Sequence, residues 1–357
     1  MRAFEKQRVR DQVVDAICER IRVGAWLDYL PSERWLSGDF GVGRDQVHQA
    51  ILKLREMGVV ILEGRKNRIT GISNIKGDFK SVVVMTPQKL QGASHSFLFC
   101  VDQLRSRLSR KNVPVYVETS VTMKRDAADK RLDKVVGKHR HAVWILHRAT
   151  PAVQQWFQSR GLCVIILGTA SERVDLPYID IDQVAAVRHS LGVMKRAGHS
   201  LERVLFLRPE NKLEGVRKME QGYMFEMDAL NVEPCVMKYR EDYEGLKTKL
   251  SGLFSRQNNA VKGVITTSYR AAAYLGGWLA AEKGLIVGRD LSLVCLADGP
   301  ALAHLHPSVA YYSVQGDAFA NKLVRIVNKM LAGERVDRKG AIQLMPDFID
   351  GGSVCKR

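Results

Sequence analysis

Residues 30–70 hold two short amphipathic helical patterns, separated by a glycine turn and followed by two β-type runs. Ser32 can accept a backbone hydrogen bond at the start of the first helix, and Gly41 permits the sharp turn after it. The second helix has one apolar side at helical spacing, formed by Val47, Ala50, Ile51, Leu54 and Met57. A preceding helical pattern at residues 5–23 can pack on this pair. The spacing therefore predicts a helix-turn-helix unit with its own small core.

The other side of the second helix is polar, and it carries Arg44, Gln46, His48 and Lys53. A helix that lies in a DNA major groove needs such a face. Gly58 ends the helix, and residues 59–62 predict a strand. A basic turn at residues 64–67 and a returning run at residues 68–70 would complete a hairpin with a cationic tip. The stretch thus predicts a winged helix-turn-helix that binds double-stranded DNA.

This stretch resembles the DNA-binding domain of the GntR family of bacterial transcription regulators. The resemblance is carried by the runs at residues 30–34 and 40–44, by Val47 and Ala50, and by residues 54–58. It implies DNA contacts for the arginine of the first run, for the arginine that opens the recognition helix, and for the wing. The predicted DNA-binding residues are Ser32, Arg34, Arg44, Asp45, Gln46, His48, Arg65, Lys66, Asn67 and Arg68.

Several residues depart from the family pattern on the side that reads bases. Asp45, Gln46 and His48 stand where the family has Thr, Thr and Arg, so the resemblance does not transfer an operator sequence. Asn67 replaces the second wing glycine, which Asn tolerates because it adopts positive φ more readily than most residues. The alternative interpretation of the stretch is a helical hairpin that serves only as a dimer contact.

The net charge of +17 over 357 residues favours a polyanionic partner such as nucleic acid. Residues 1–80, however, hold only 15 of the 55 Lys and Arg against 11 of the 38 Asp and Glu. A basic block at residues 105–148 carries much of the remaining charge. Charge therefore supports DNA binding less directly than the motif does.

Cysteine usage and the N-terminal residues predict a cytoplasmic protein. The six cysteines are scattered without pairs or neighbouring histidines at metal-ligand spacing, so we expect free thiols and no metal. The charged start is unlike a signal peptide, and no apolar run is long enough to span a membrane. We find no recognisable catalytic constellation or phosphate-binding loop, and we predict neither an enzyme nor a cofactor.

Residues 71–80 are the predicted linker, because Gly, Ser, Asn and mixed charges separate two strongly patterned regions. Beyond them, short apolar runs alternate with amphipathic helices in two successive series. Such alternation predicts parallel sheets covered on both faces. The predicted fold class is α/β, with a winged helix-turn-helix at residues 1–70 and a two-lobed, doubly wound domain for effector binding and dimerisation at residues 81–357.

Residues 81–355 resemble the periplasmic-binding-protein-like effector domain of the LacI family. The marks are residues 179–182, 197–199, 222–223, 284–287, 290–294, 306–308 and 331–334. The resemblance implies two α/β lobes that close on a small molecule, usually a sugar or nucleobase, at the carboxyl ends of the strands. The effector-binding residues predicted from it are Phe97, Asp182, Met219, Tyr269, Arg270 and Asp298.

This predicted pocket departs from the family pattern. Met219 stands for an arginine, Tyr269 and Arg270 for an Asn-Asp pair, and residues 297–298 for an Asp-Asp pair. One interpretation is a pocket that is no longer used. The other is a pocket retuned for a different ligand, because an arginine at the cleft suits an acidic, sugar-like effector.

These observations predict a bacterial transcription regulator, specifically a repressor. A homodimer would bind an inverted-repeat operator, and a small sugar-like effector would control that binding. The alternative is an effector-independent DNA-binding repressor whose α/β domain serves only for dimerisation.

Overall fold

The computed structural model describes residues 2–22, 25–26, 29–69, 79–87, 89–119, 125–139, 141–211, 213–255, 261–334, 336 and 342–355. The chain forms two compact units, and neither is a single continuous segment. The first comprises Met1–Leu90, Asp102–Ile179 and Asn321–Ala341, and the second comprises Gln91–Val101, Asp180–Ala320 and Ile342–Arg357. Most of the predicted linker, residues 71–78, lies outside the described residues.

The N-terminal part of the first unit is a winged helix-turn-helix. Its helices are α1 (Arg2–Arg22), α2 (Glu33–Phe40) and α3 (Arg44–Glu56), and its hairpin strands are β1 (Val60–Glu63) and β2 (Lys66–Ile69). Their buried side chains form a separate core that includes Val13, Ile17, Ile21, Leu36, Val47, Ile51 and Leu54. The predicted apolar side of the second helix is therefore the side that is buried.

The hairpin turn is tighter than the sequence predicted. Glu63 pairs directly with Lys66, so only Gly64 and Arg65 form the turn. Gly64 adopts the φ of +62° that such a turn requires. Asn67 lies within β2 and is not among the residues with positive φ, so the expected benefit of an asparagine there does not arise.

The first of the two large sheets has six strands in the order β13-β7-β6-β5-β3-β4, and its strands β3 to β6 lie wholly in the first unit. Its strands are β3 (Ser81–Met85), β4 (Val115–Glu118), β5 (Ala142–His147), β6 (Val164–Leu167), β7 (Tyr178–Ile181) and β13 (Ile342–Leu344). Strands β3 to β7 pair in parallel. The connecting helices are α4 (His95–Ser109), α5 (Arg125–Lys138) and α6 (Pro151–Ser159). Every residue of β3 and of β6 is buried, as expected for parallel strands covered on both faces.

The second unit contains a six-stranded sheet in the order β14-β12-β11-β10-β8-β9. Its strands are β8 (Val204–Pro209), β9 (Cys235–Tyr239), β10 (Gly263–Thr266), β11 (Ser292–Cys295), β12 (Ala310–Ser313) and β14 (Asp347–Ile349). All neighbours are parallel except β14, which runs antiparallel to β12. The helices are α7 (Gln183–Arg196), α8 (Glu214–Ala229), α9 (Tyr243–Leu253) and α10 (Tyr269–Lys283). A further helix, α11 (Gly316–Leu331), begins in the second unit and continues into the first at Asn321. One apolar cluster lies on each face of this sheet.

The predicted α/β fold class is confirmed. The elements for which the sequence analysis predicted no helix or strand include β9, α9, β12, α11, β13 and β14. None of the described helices is long and apolar enough to cross a membrane.

Candidate DNA-binding surface and effector site

The turn between α2 and α3 is set by three local contacts. Ser32 caps α2, because its Oγ accepts a hydrogen bond from the backbone N–H of Trp35 at 3.3 Å. Gly41 ends α2 at a φ of +63°, and its N–H bonds the carbonyl of Ser37. Ser37 Oγ in turn donates to the carbonyl of Val42 at 2.6 Å. Ser32 therefore has a structural role in addition to its predicted place near DNA.

The exposed side of the recognition helix begins with Arg44, the first residue of α3. Arg44, Asp45 and His48 are exposed, whereas Gln46 is half-buried. Arg34 is exposed on α2. Gln49 is also exposed beside His48, and the sequence analysis did not include it. Its position four residues after Asp45, on the exposed side of the helix, was the signal that could have identified it.

The wing carries exposed cations that are held by neighbouring side chains. Lys66 Nζ lies 5.4 Å from the ring centroid of Tyr29, and the Tyr29 hydroxyl donates to Glu63 at 2.7 Å. Arg68 lies 3.4 Å from the same carboxylate. Arg65 is exposed at the turn itself. The hairpin tip is therefore cationic, as predicted. The carboxylate of Glu63 neutralises part of the positive charge in the strands next to the tip.

Asn67 connects the wing to the recognition helix. Its Oδ1 accepts two hydrogen bonds from Arg55 of α3, at 2.9 Å from Nε and 2.6 Å from Nη2. Its backbone carbonyl accepts from the N–H of Leu30 at 2.9 Å. The side-chain oxygen of Asn67 thus faces the protein, and Arg55 is a positioning residue that the sequence analysis missed.

Four of the six predicted effector residues come together at the carboxyl edge of the second sheet. Tyr269 and Arg270 open α10 directly after β10, and Asp298 follows β11, the neighbouring strand. Gly299 lies so close to Tyr269 that a Cβ built on it would be 2.7 Å from the Cβ of Tyr269. Phe97 is buried in the first turn of α4, next to Ser96, which hydrogen-bonds Asp298.

The charges at this edge are an exposed cation and a half-buried carboxyl group. Arg270 is exposed, and its Nε donates to the Tyr269 hydroxyl at 3.2 Å. Burial raises the pKa of Asp298, while hydrogen bonds from Ser96 and Ser313 and the charge of His95 act in the opposite direction. Oδ1 of Asp298 has no hydrogen-bond partner among the described residues. The site thus offers an acceptor and a cation to a polar ligand.

No described contact joins the other two predicted effector residues, Asp182 and Met219, to this group. Asp182 caps α7 by accepting from the N–H of Ala185 at 2.9 Å. Met219 is only 7% exposed, and it packs in the apolar cluster with Phe206 and Tyr223. Met219 is therefore part of the apolar core of this structure.

A charged cluster that the sequence analysis missed lies at the end of β8. Glu220 of α8 pairs with Arg208 at 2.7 Å and with Lys238 at 2.8 Å. Burial works against ionisation of Glu220, but the hydrogen bonds from Lys238 and Arg208 prevail and lower its pKa. Because these three residues are far apart in sequence, only the fold brings them together.

Buried polar atoms without a described partner also collect at this edge. They are Nε of Arg208, Oγ1 of Thr267 and Oδ1 of Asp298. These three residues come at the carboxyl ends of β8, β10 and β11, which are adjacent strands. Buried polar groups are normally satisfied, so such a concentration is typical of a site that binds a polar ligand.

The first sheet carries a smaller polar group at its own carboxyl edge. Nδ1 of His147, at the end of β5, lies 3.0 Å from Oγ1 of Thr86, which follows β3. Burial and the charge of Arg148 lower the pKa of His147 to about 3, so this ring is neutral at physiological pH. Arg148 has a φ of +52°, an uncommon conformation for a residue other than glycine. No sequence signal distinguished these residues.

Two family profiles match separate parts of the chain. Residues 9–67 match the profile of the bacterial regulatory proteins of the gntR family, and residues 194–354 match the periplasmic binding protein-like domain. The chain thus joins a DNA-binding domain of the gntR type to a periplasmic binding protein-like domain, a fold that LacI-family transcriptional regulators share. These matches are to regulators rather than to enzymes. In the described part of the chain, no group of His, Cys, Asp or Glu could hold a metal ion.

Solved structures share the fold at low sequence identity. A LacI family transcriptional regulator from Bifidobacterium animalis is 16% identical with a TM-score of 0.64, over 78% of this chain and 98% of its own. The transcriptional regulator CelR–cellobiose complex is 16% identical with a TM-score of 0.65, over 91% and 100%. A periplasmic binding protein/LacI transcriptional regulator from Alkaliphilus metalliredigens, complexed with D-xylulofuranose, is 15% identical with a TM-score of 0.60, over 77% and 99%. No curated protein matches the chain in sequence.

Proposed function

We propose that the protein is a repressor that binds an inverted-repeat operator as a homodimer and is controlled by a small, sugar-like effector. The observation that carries this proposal is the presence in one chain of an exposed recognition helix and a polar cluster at the carboxyl edge of a parallel sheet. The first can read DNA, and the second is where open α/β sheets bind small ligands. In this proposal, residues 1–70 bind DNA, residues 81–357 bind the effector and form the dimer, and residues 71–80 link the two domains.

The proposed DNA contacts centre on Arg44, with Arg34, Asp45, Gln46 and His48 beside it. Arg44 is exposed at the start of α3, the end of a recognition helix that meets base edges. We expect Arg44→Ala to weaken binding to the selected operator by about 1–3 kcal/mol. Arg289→Ala, which removes an exposed arginine of the second unit, is the matched control. Equal operator affinity for the Arg44 variant and the wild type would contradict the proposal.

The proposed effector is acidic or otherwise atypical among sugars. Two proteins of the same fold are complexed with cellobiose and with D-xylulofuranose, and Arg270 is an exposed cation at the carboxyl edge of the second sheet here. A guanidinium suits a carboxylate because it offers two parallel donors. A thermal-shift screen should compare uronates with their neutral parent sugars and with nucleosides. Tighter binding of the neutral sugar, or unchanged uronate binding by Arg270→Ala, would refute the acidic assignment.

The same screen tests the alternative in which the α/β domain serves only for dimerisation. A ligand that raises the melting temperature and also changes operator affinity supports effector control. If ligands have no effect on either quantity, an effector-independent repressor is the better description. Light scattering tests the dimer, because a monomer at micromolar concentration with and without operator would be incompatible with a two-fold complex.

A further inference from the structure

A hydrogen bond joins the helix before the turn to the exposed side of the recognition helix. Glu33 Oε1, in the first turn of α2, lies 2.9 Å from Nδ1 of His48 on α3. The side chains of His48 and Glu33 are 50% and 38% exposed, respectively. Glu33 was not among the predicted DNA-binding residues. A polar pair this exposed contributes little to folding stability, so stability alone does not account for it.

We propose that Glu33 is a positioning residue that orients the His48 ring so that Nε2 reads one base pair of each operator half-site. The inference rests on the proposed DNA binding. His48 lies one helical turn after Arg44, on the same face of α3. Recognition helices contact base edges with their N-terminal residues, so both side chains belong to the region that enters the groove.

The direction of the hydrogen bond determines what the ring presents to DNA. A carboxylate only accepts, so Nδ1 of His48 carries the hydrogen that it donates to Glu33. In the neutral ring Nε2 is then an acceptor, and the hydrogen bond of His48 to Glu33 leaves Nε2 unused. In the major groove an acceptor pairs with the amino group of adenine or cytosine. We therefore expect adenine or cytosine to be preferred at the base that His48 meets.

The hydrogen bond to Glu33 also restricts the side-chain rotamers of His48 before DNA binds, so that binding does not have to restrict them. An unrestrained surface imidazole samples several rotamers, and fixing one of them in the complex opposes association. The carboxylate fixes the ring before DNA arrives. A merely structural carboxylate would weaken binding to all sequences alike, whereas a positioning carboxylate changes the preference at one base pair.

The test is selection from randomised duplexes by full-length variants, read as base preference at each position. The variants are Glu33→Ala, His48→Ala and the double variant. Because a single hydrogen bond contributes modestly, we expect each single change to reduce the base preference at the same position by up to roughly tenfold. The double variant should reduce this base preference no further than His48→Ala alone. Glu56→Ala is the control, because Glu56 forms a similarly exposed pair with Lys53 on the same helix.

Two conservative variants distinguish the effect of the side-chain length of Glu33 from the effect of its negative charge. Glu33→Gln retains an acceptor at the same reach and should preserve the preference. Glu33→Asp keeps the negative charge at the start of α2 but shortens the side chain, and it should behave as Glu33→Ala. Circular dichroism and thermal melting establish that each variant is folded.

Specific outcomes overturn the proposal. An unchanged base preference in Glu33→Ala and Glu33→Asp would exclude positioning, and so would an equal weakening at all positions of the site in these variants. A wild-type preference for guanine would exclude the acceptor role of Nε2. If the wild-type chain enriches no sequence, the proposed function itself fails. Enrichment that is insensitive to Glu33 overturns only this inference.

Discussion

The DNA-binding surface and the carboxyl edge of the second sheet are assembled in different ways. The first comes from one continuous stretch, in which Ser32, Gly41 and Arg44 each set or occupy a local feature. The second combines the ends of three strands with the first turn of α4, whose Ser96 reaches Asp298 from a distant part of the sequence. A surface formed by one continuous stretch can be recognised from the spacing of its residues in the sequence. A surface formed by residues from distant stretches depends on the order of the strands in the sheet.

The two regions also differ in electrostatics. The ion pairs of the winged helix-turn-helix, such as Lys53–Glu56 and Arg68–Glu63, are exposed and therefore weak and sensitive to salt. At the sheet edge, Glu220 and Asp298 are partly buried, and their pKa values are shifted in opposite directions. The exposed charges of the winged helix-turn-helix can exchange partners, which suits binding to a polyanion. The partly buried charges at the carboxyl edge of the second sheet are fixed in place, which suits binding to a small ligand.

The largest predicted effect tests whether the two regions fold independently. Leu54 is fully buried in the core of the winged helix-turn-helix. We expect Leu54→Ala to destabilise this domain by about 2–5 kcal/mol, because it removes apolar contacts and leaves a cavity. Operator binding should be abolished. Calorimetry should show that the melting transition of the α/β part is unchanged, and a parallel decrease in both transitions would contradict separate folding.

The two regions differ in how much the sequence predicted. The cap at Ser32, the left-handed Gly41 and the buried Val47, Ile51 and Leu54 were all predicted, because each follows from local spacing. At the sheet edge, the resemblance to the LacI-type effector domain predicted that Tyr269, Arg270 and Asp298 would be near one another. It did not predict the Arg208–Glu220–Lys238 cluster, since nothing in the spacing indicated which helix would face the end of β8. The winged helix-turn-helix also held one such case, because Arg55 meets Asn67 only after the wing folds back.

The second prediction concerns the buried charge at the edge. We expect Glu220→Ala to destabilise the effector domain by about 1–3 kcal/mol, because it leaves Arg208 and Lys238 without their shared acceptor. The control is Glu226→Ala on the same helix, whose partner Arg188 is exposed, so that the destabilisation there should be at most about 1 kcal/mol.

The pH dependence of this effect has a definite sign. The pKa of Glu220 is lowered in the folded protein, so its contribution is present above the unfolded pKa and is lost as the pH falls through the folded value. The difference in melting temperature between wild type and Glu220→Ala should therefore shrink in acid. A difference that stays constant from neutral pH into acid would show that packing, rather than charge, is responsible.

The third prediction has the opposite sign. Because burial raises the pKa of Asp298, its ionised form disfavours folding at neutral pH. We expect Asp298→Asn to stabilise the effector domain by about 0.5–2 kcal/mol, as changes at functional sites often do, while weakening effector binding. The stabilisation should grow as pH rises from the unfolded pKa through the folded one. Asp228→Asn, at an exposed position of α8, should change neither property.

The smallest predicted effect concerns the wing and sharpens the contrast between adjustable and fixed charges. Arg65 is exposed at the turn and Lys66 lies beside Tyr29, so each can approach a phosphate without reading a base. We expect Arg65→Gln and Lys66→Gln to weaken binding to operator and unrelated DNA alike. For each phosphate that the variant no longer neutralises, the slope of log K against log salt should become shallower by about 0.9. Lys247→Gln, an exposed change on α9, should leave the slope unaltered. A weaker operator preference in the wing variants, with an unchanged slope, would instead assign base reading to the wing.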